Sequence, residues 1–114
     1  MIMDKLIAIV RWLDEFGLGL PKSLDKLQEL KWFNAYSKGI TYIPEEIGYL
    51  TNLWELDLHS NKIEKLPESI GNLSNLKVLS LWDNQIEEIP ESIGNLSNLK
   101  GLYLSENQIE EIPE

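Results

Sequence analysis

Apolar side chains return along this chain in a fixed frame. The order Leu53, Leu56, Leu58, Asn61, Ile63 recurs as Leu76, Leu79, Leu81, Asn84, Ile86 and again as Leu99, Leu102, Leu104, Asn107, Ile109. In the middle of each unit apolar and polar positions alternate with period two, which predicts a short strand. A weaker copy runs through Leu30, Phe33, Ala35, Lys38 and Ile40, so residues 30–52 read as a divergent first strand unit. All five prolines share one phase, Pro21, Pro44, Pro67, Pro90 and Pro113, and each follows a leucine or isoleucine. Segments 67–77 and 90–100 are both PESIGNLSNLK, and 84–91 and 107–114 are both NQIEEIPE. A period of 23 residues therefore governs most of the chain.

One strand and one return segment cannot bury an apolar side alone, so such units must stack and share a core. Stacked strands sit about 4.8 Å apart while helical turns need about 10 Å, which places the strands inside a curve as a concave parallel sheet. The returns are expected to start at proline, at the first helical turn, with Gly48, Gly71 and Gly94 keeping that turn short. Ahead of the repeat, Ile2, Leu6, Ile9, Leu13 and Phe16 form one helical stripe. With Asp4 as N-cap and Gly17 as stop, residues 4–16 predict an amphipathic helix over the open side of the first coil. The same stripe would suit a membrane surface or a partner, but facing a core is its commoner use.

The pattern L-x-x-L-x-L-x-x-N-x-I closely resembles the leucine-rich repeat family, in the 23-residue form LPxxIGxLxxLxxLxLxxNxI of bacterial and Ras-scaffold-type intracellular members. The resemblance covers about residues 20–114. It implies an α/β fold: a short, curved, right-handed solenoid with a concave parallel sheet, short helical or 3-10 convex segments and an N-terminal capping helix. Residues 1–19 would form the cap and linker, and 20–114 about four repeat units, the last incomplete. It further implies that Asn61, Asn84 and Asn107 form a structural ladder whose amides satisfy backbone groups inside the coil. Lys38 takes that place in the first copy, so that coil should be looser or its lysine should reach outward.

Composition narrows the function. A hydrophobic content of 43% over 114 residues fits one small folded domain and excludes disorder. Ten basic against nineteen acidic residues leave a net charge of −9, which disfavours nucleic acid and anionic membranes as partners. No cysteine and one histidine remove disulfides and zinc sites, and no phosphate-binding loop, metal motif or kinase signature occurs. No cofactor is expected. Leu6 to Val10 is too short and too closely flanked by charge for a membrane span or signal peptide, so a cytoplasmic location is the expectation. The pairs Glu45-Glu46, Glu87-Glu88 and Glu110-Glu111 resemble a divalent-ion site, but adjacent carboxylates on a repeat more often face solvent.

Strand alternation fixes which side chains line the inner wall. They form columns: Trp32, Glu55, Val78 and Gly101; Asn34, Asp57, Ser80 and Tyr103; Tyr36, His59, Trp82 and Ser105; Ser37, Ser60, Asp83 and Glu106. The rings here are not required by the core template, and buried aromatic anchors carry much interface energy. The expected site is therefore this wall, with Glu55, Asp57, Val78, Asp83, Ser105 and Glu106 beside the rings. Trp54 is expected at a flank or in packing. Asp57, His59 and Ser60 or Ser80 are the one grouping with catalytic residue types, but a parallel sheet offers no spare N–H groups for an oxyanion hole, so no enzyme is expected.

The resemblance implies an interaction module, and the expected function is non-catalytic protein binding through the concave face. Two alternatives are a structural unit that self-assembles through its C-terminal edge, and a carbohydrate binder stacking sugar on Trp32 and Trp82. The sequence stops within a return segment, leaving the last strand edge open in this reading. Such an edge fits a fragment of a longer protein, a homodimer or other partner over the edge, or blunting by Glu106, Glu110, Glu111 and Glu114.

Overall fold

A computed structural model describes residues 2–20 and 23–110. The expectations for Pro21, Pro113, Glu111, Glu114 and the side chain of Ile2 lie outside what it describes. Two helices, α1 (Ile2–Glu15) and α2 (Leu24–Gln28), precede or join strands β1 (Trp32–Asn34), β2 (Glu55–Asp57), β3 (Val78–Ser80) and β4 (Gly101–Tyr103). The last three strands are each preceded by a 3-10 return, Glu45–Tyr49, Glu68–Asn72 and Glu91–Asn95. All pairings are parallel in the order β1-β2-β3-β4, and the register aligns Trp32, Glu55, Val78 and Gly101.

The template leucines fill the interior. Leu53, Leu56, Leu58, Leu76, Leu79 and Leu81 are completely buried, as are Ile47 and Ile70 from the returns. Each such side chain contributes about 1.5–3 kcal/mol of burial free energy. Burial weakens at the fourth coil, where Leu102 is 36% exposed and Leu99, Leu104 and Ile109 are partly buried.

Polar groups within the coil are satisfied by asparagine. Asn84 Nδ2 donates to the carbonyls of Leu58 and Leu81 at 3.1 and 3.0 Å, while its Oδ1 accepts from Ile63 N–H at 3.0 Å. Asn61 and Asn107 repeat these contacts one coil earlier and later. Lys38, the residue in the ladder position of the first coil, is exposed and gives only its backbone N–H to Asn61 Oδ1.

The returns differ in two respects from the sequence expectation. Pro44, Pro67 and Pro90 stand at the N-cap in extended conformation, not inside the first turn, and their carbonyls accept from Ile47, Ile70 and Ile93 at 3.0–3.1 Å. Gly48 and Gly71 serve close approach between coils. A Cβ on Gly71 would lie 2.6 Å from the Ser92 carbonyl oxygen, and one on Gly48 would lie 2.9 Å from Ser69 Cβ. The same serines clip the returns together, Ser69 Oγ donating to the Glu45 carbonyl and Ser92 Oγ to that of Glu68, at 2.6 and 2.7 Å. The first junction has neither partner: Asp25 occupies the glycine position and Glu46 the serine position. There the return is the α-helix α2.

Helix α1 begins at Ile2, so Asp4 lies in its first turn and does not cap it. It ends where Gly17, at φ +63°, lets Leu18 N–H turn back to the Leu13 carbonyl at 2.9 Å. Ile9 and Leu13 are buried, as the stripe predicts. Trp12 stands outside that stripe, yet it is 1% exposed, tilts against Phe33 at 5.5 Å and donates its indole N–H to the Tyr42 carbonyl at 2.8 Å. Tyr42 also donates its hydroxyl to Glu15 Oε1 at 2.7 Å; that bond, then burial and the carboxylate charge, raise the phenol's pKa above its ordinary value. The tie to α1 therefore survives neutral pH and is lost as pH rises through the raised Tyr42 pKa.

Two stability measurements probe these joints. In urea denaturation Asn84→Ala should cost about 1–3 kcal/mol by stranding buried backbone groups, and Asn107→Ala, half-buried, should cost less. Thermal unfolding should separate Gly71→Ala from Gly94→Ala, because a Cβ at Gly94 meets nothing within 4 Å. Gly71→Ala is expected to lower the midpoint by several degrees and Gly94→Ala to leave it nearly unchanged.

Candidate functional site

Each strand is only three residues long, so the first two columns of the inner wall stand on the sheet and the third stands just beyond it. The extended chain continues there because Ser37, Ser60 and Asp83 N–H groups donate to the carbonyls of His59, Trp82 and Ser105 at 3.2, 3.0 and 2.9 Å. The fourth column marks the exit turn: Ser37, Ser60, Asp83 and Glu106 all have φ between +54° and +58°. These four are thus left-handed turn residues at the edge of the wall, with Asp83 and Glu106 exposed.

The third column forms a stack. Tyr36 and His59 lie parallel with ring centroids 4.9 Å apart and 3° between planes, and His59 and Trp82 follow at 4.3 Å and 8°. Coil spacing near about 4.8 Å is the natural distance for such stacking, so equivalent positions filled with flat side chains stack without adjustment. His59 is also tied sideways, its Nδ1 3.0 Å from Ser60 Oγ and its Nε2 3.8 Å from Asp57 Oδ2. Asp57 Oδ1 accepts the His59 backbone N–H at 3.2 Å.

The remaining wall residues surround this stack. Trp32 is 56% exposed and stands edge-on to Trp54 at 6.0 Å. Trp54 lies at the rim, in keeping with a flank position, between Lys31 and Lys77, whose ammonium groups sit 5.4 and 4.6 Å from its ring. Asn34, Tyr103 and Ser105 are exposed and Glu55 and Val78 half-buried. Ser80 departs from the expectation of an accessible contact: it is 7% exposed and forms the floor of a cleft. This cleft of about 280 Å³ is lined by Glu55, Asp57, Val78, Ser80, Trp82 and Tyr103. Gly101 leaves room for the Tyr103 ring, whose Cε2 would lie 3.0 Å from a Cβ there.

Asp57, His59 and Ser60 do meet, but the arrangement falls short of a charge-relay geometry. The Asp57–His59 separation of 3.8 Å exceeds a hydrogen bond, and the N–H groups of His59 and Ser60 are engaged with Asp57 and Trp82. Among the described residues no cluster of three histidine, cysteine, aspartate or glutamate side chains is placed to hold a metal, and no helix is long and apolar enough to cross a membrane.

A second polar ladder escaped the sequence reading. Asn52, Asn75 and Asn98 donate their side-chain N–H groups to the carbonyls of Gln28, Thr51 and Ser74 in the preceding coil, the last two at 3.0 and 2.9 Å. Its signal was present as asparagine at one phase of the 23-residue period.

Comparison with known proteins matches the family description "Leucine Rich repeats (2 copies)" to residues 74–114 and "Leucine Rich Repeat" to residues 52–73. No curated protein matches the sequence. Among solved structures, a leucine-rich repeat protein of Leptospira interrogans superposes with a TM-score of 0.71 and 30% identity over 87% of this chain. The plant peptide hormone receptor RGFR1, solved in complex with RGF2, superposes with a TM-score of 0.62 and 34% identity over 77%. The chain spans 31% of the first protein and 17% of the second.

The ring stack yields a stability test. His59→Ala should destabilise by about 1–2 kcal/mol by removing two stacking contacts, and His59→Phe should recover most of that loss in the same urea titration.

Proposed function

Because this chain belongs to the leucine-rich repeat family, whose domains generally mediate protein–protein interaction, we propose that it binds a protein partner through its concave face, without turnover or cofactor. The observation that carries this reading is the parallel stack of Tyr36, His59 and Trp82 across three coils. The stack lies outside the buried core, whose leucines and isoleucines are complete without it. Trp32 and Tyr103, more than half exposed, extend the aromatic surface on either side. Rings already held in place lose little side-chain entropy on binding, which makes them efficient anchors. The receptor with a similar fold was solved in complex with RGF2, which agrees with an interaction role.

The double substitution Trp82→Ala with Tyr103→Ala tests the site. It should preserve the circular dichroism spectrum and a cooperative unfolding transition while reducing capture of partners from a cell lysate at least about tenfold, the loss of one buried anchor or more. Equal capture by the two proteins, quantified by mass spectrometry, would reject the concave face.

A further inference from the structure

Charge on the inner wall is one-sided. Its three columns hold Glu55 and Asp57, and the exit turns beside them hold Asp83 and Glu106, but none of these positions is lysine or arginine. Lys31 and Lys77 stand one residue before the strands, at the rim, over the ring of Trp54. The cleft walled by Trp82 and Tyr103 concentrates this asymmetry, because Glu55 and Asp57 both line it above the covered Ser80. Asp57 is held in place by the His59 N–H and is only 23% exposed at its side chain.

Two carboxylates beside two aromatic rings select the chemistry of an occupant. A purely apolar side chain would strip water from the carboxylates without supplying a counter-charge. An anion would be repelled. An ammonium group would neutralise the charge and can sit over a ring, as Lys77 does over Trp54, but it holds its water tightly and lacks a planar fork for a carboxylate. A guanidinium is planar, weakly hydrated, able to lie on a ring face and able to give paired hydrogen bonds to a carboxylate. The net charge of −9 adds long-range attraction for a basic segment.

We propose that the cleft between Glu55, Asp57, Trp82 and Tyr103 receives an arginine side chain, so that the partner presents a basic, arginine-bearing segment to the inner wall. This rests on the concave-face reading and specifies its partner. Binding then combines stacking on the rings with charge pairing, and it weakens as salt rises.

The test uses the intact chain and two blocked nine-residue peptides. One alternates arginine with serine; the other carries citrulline, which keeps the shape of arginine but not its charge. In titrations followed by amide NMR, the arginine peptide should shift resonances of Glu55, Asp57, Trp82 and Tyr103 and bind at least about tenfold more tightly than the citrulline peptide. Glu55→Gln with Asp57→Asn should remove about tenfold of that affinity without disturbing the wall, since the introduced carboxamide retains an oxygen for the His59 N–H. Glu87→Gln with Glu88→Gln, an equal change of charge outside the wall, should leave it unchanged. Equal binding of the two peptides, or equal loss from both pairs of substitutions, overturns the proposal. If that happens while Trp82→Ala with Tyr103→Ala still abolishes lysate capture, the cationic partner falls and the concave face stands. If capture is also unaffected, both fall.

Discussion

A carboxamide at the exits of β2, β3 and β4, buried in the first two, makes the stack of coils possible. Where the chain leaves the strand it must turn, and the turn takes backbone N–H and C=O groups out of the sheet without releasing them to water. Asparagine has both a donor and an acceptor on a short stem, so one side chain satisfies carbonyls of its own coil and of the previous one while accepting an N–H. Leucine burial supplies most of the stabilisation, but without the amide that burial would strand polar groups and lose much of its gain. The left-handed residues of these turns, Ser37, Ser60, Asp83 and Glu106, are all non-glycine, and the first three donate their N–H groups to carbonyls of the next coil.

On the outer side the corresponding constraint is distance. The 3-10 returns lie close enough for serine to cover glycine, and each serine hydroxyl then reaches a carbonyl of the preceding return. Where Asp25 and Glu46 replace these residues, the return takes the form of α2. The same end of the molecule lacks a ladder asparagine and is covered by α1, whose Trp12, together with the adjoining Phe16, brings ring contacts to Phe33 and Tyr42. The first coil thus exchanges repeat contacts for aromatic packing.

The architecture was legible because its cause is periodic. Leucine alternation, proline phase and asparagine spacing are each visible along the chain, and each corresponds to one contact that recurs at successive coils. Features that depend on contact between coils were harder to read. Nothing along the chain marks Gly71 as a close approach to Ser92, since the two belong to different turns. Asn52, Asn75 and Asn98 were visible as a column but had no local reason to be polar. Trp12 lay beside the apolar stripe, yet its value depends on the distant Tyr42 carbonyl. On the candidate site, alternation placed the columns but could not show that Ser80 is covered, that Asp83 and Glu106 occupy a turn, or that Tyr36, His59 and Trp82 stand parallel.

The parallel rings also bear on mechanics. They occupy the inside of the bend on three successive coils, with centroids 4.9 and 4.3 Å apart. Flat rings at that distance resist further compression steeply. The rings consequently act as a stop on the inner side, where a load that tightens the arch drives them together.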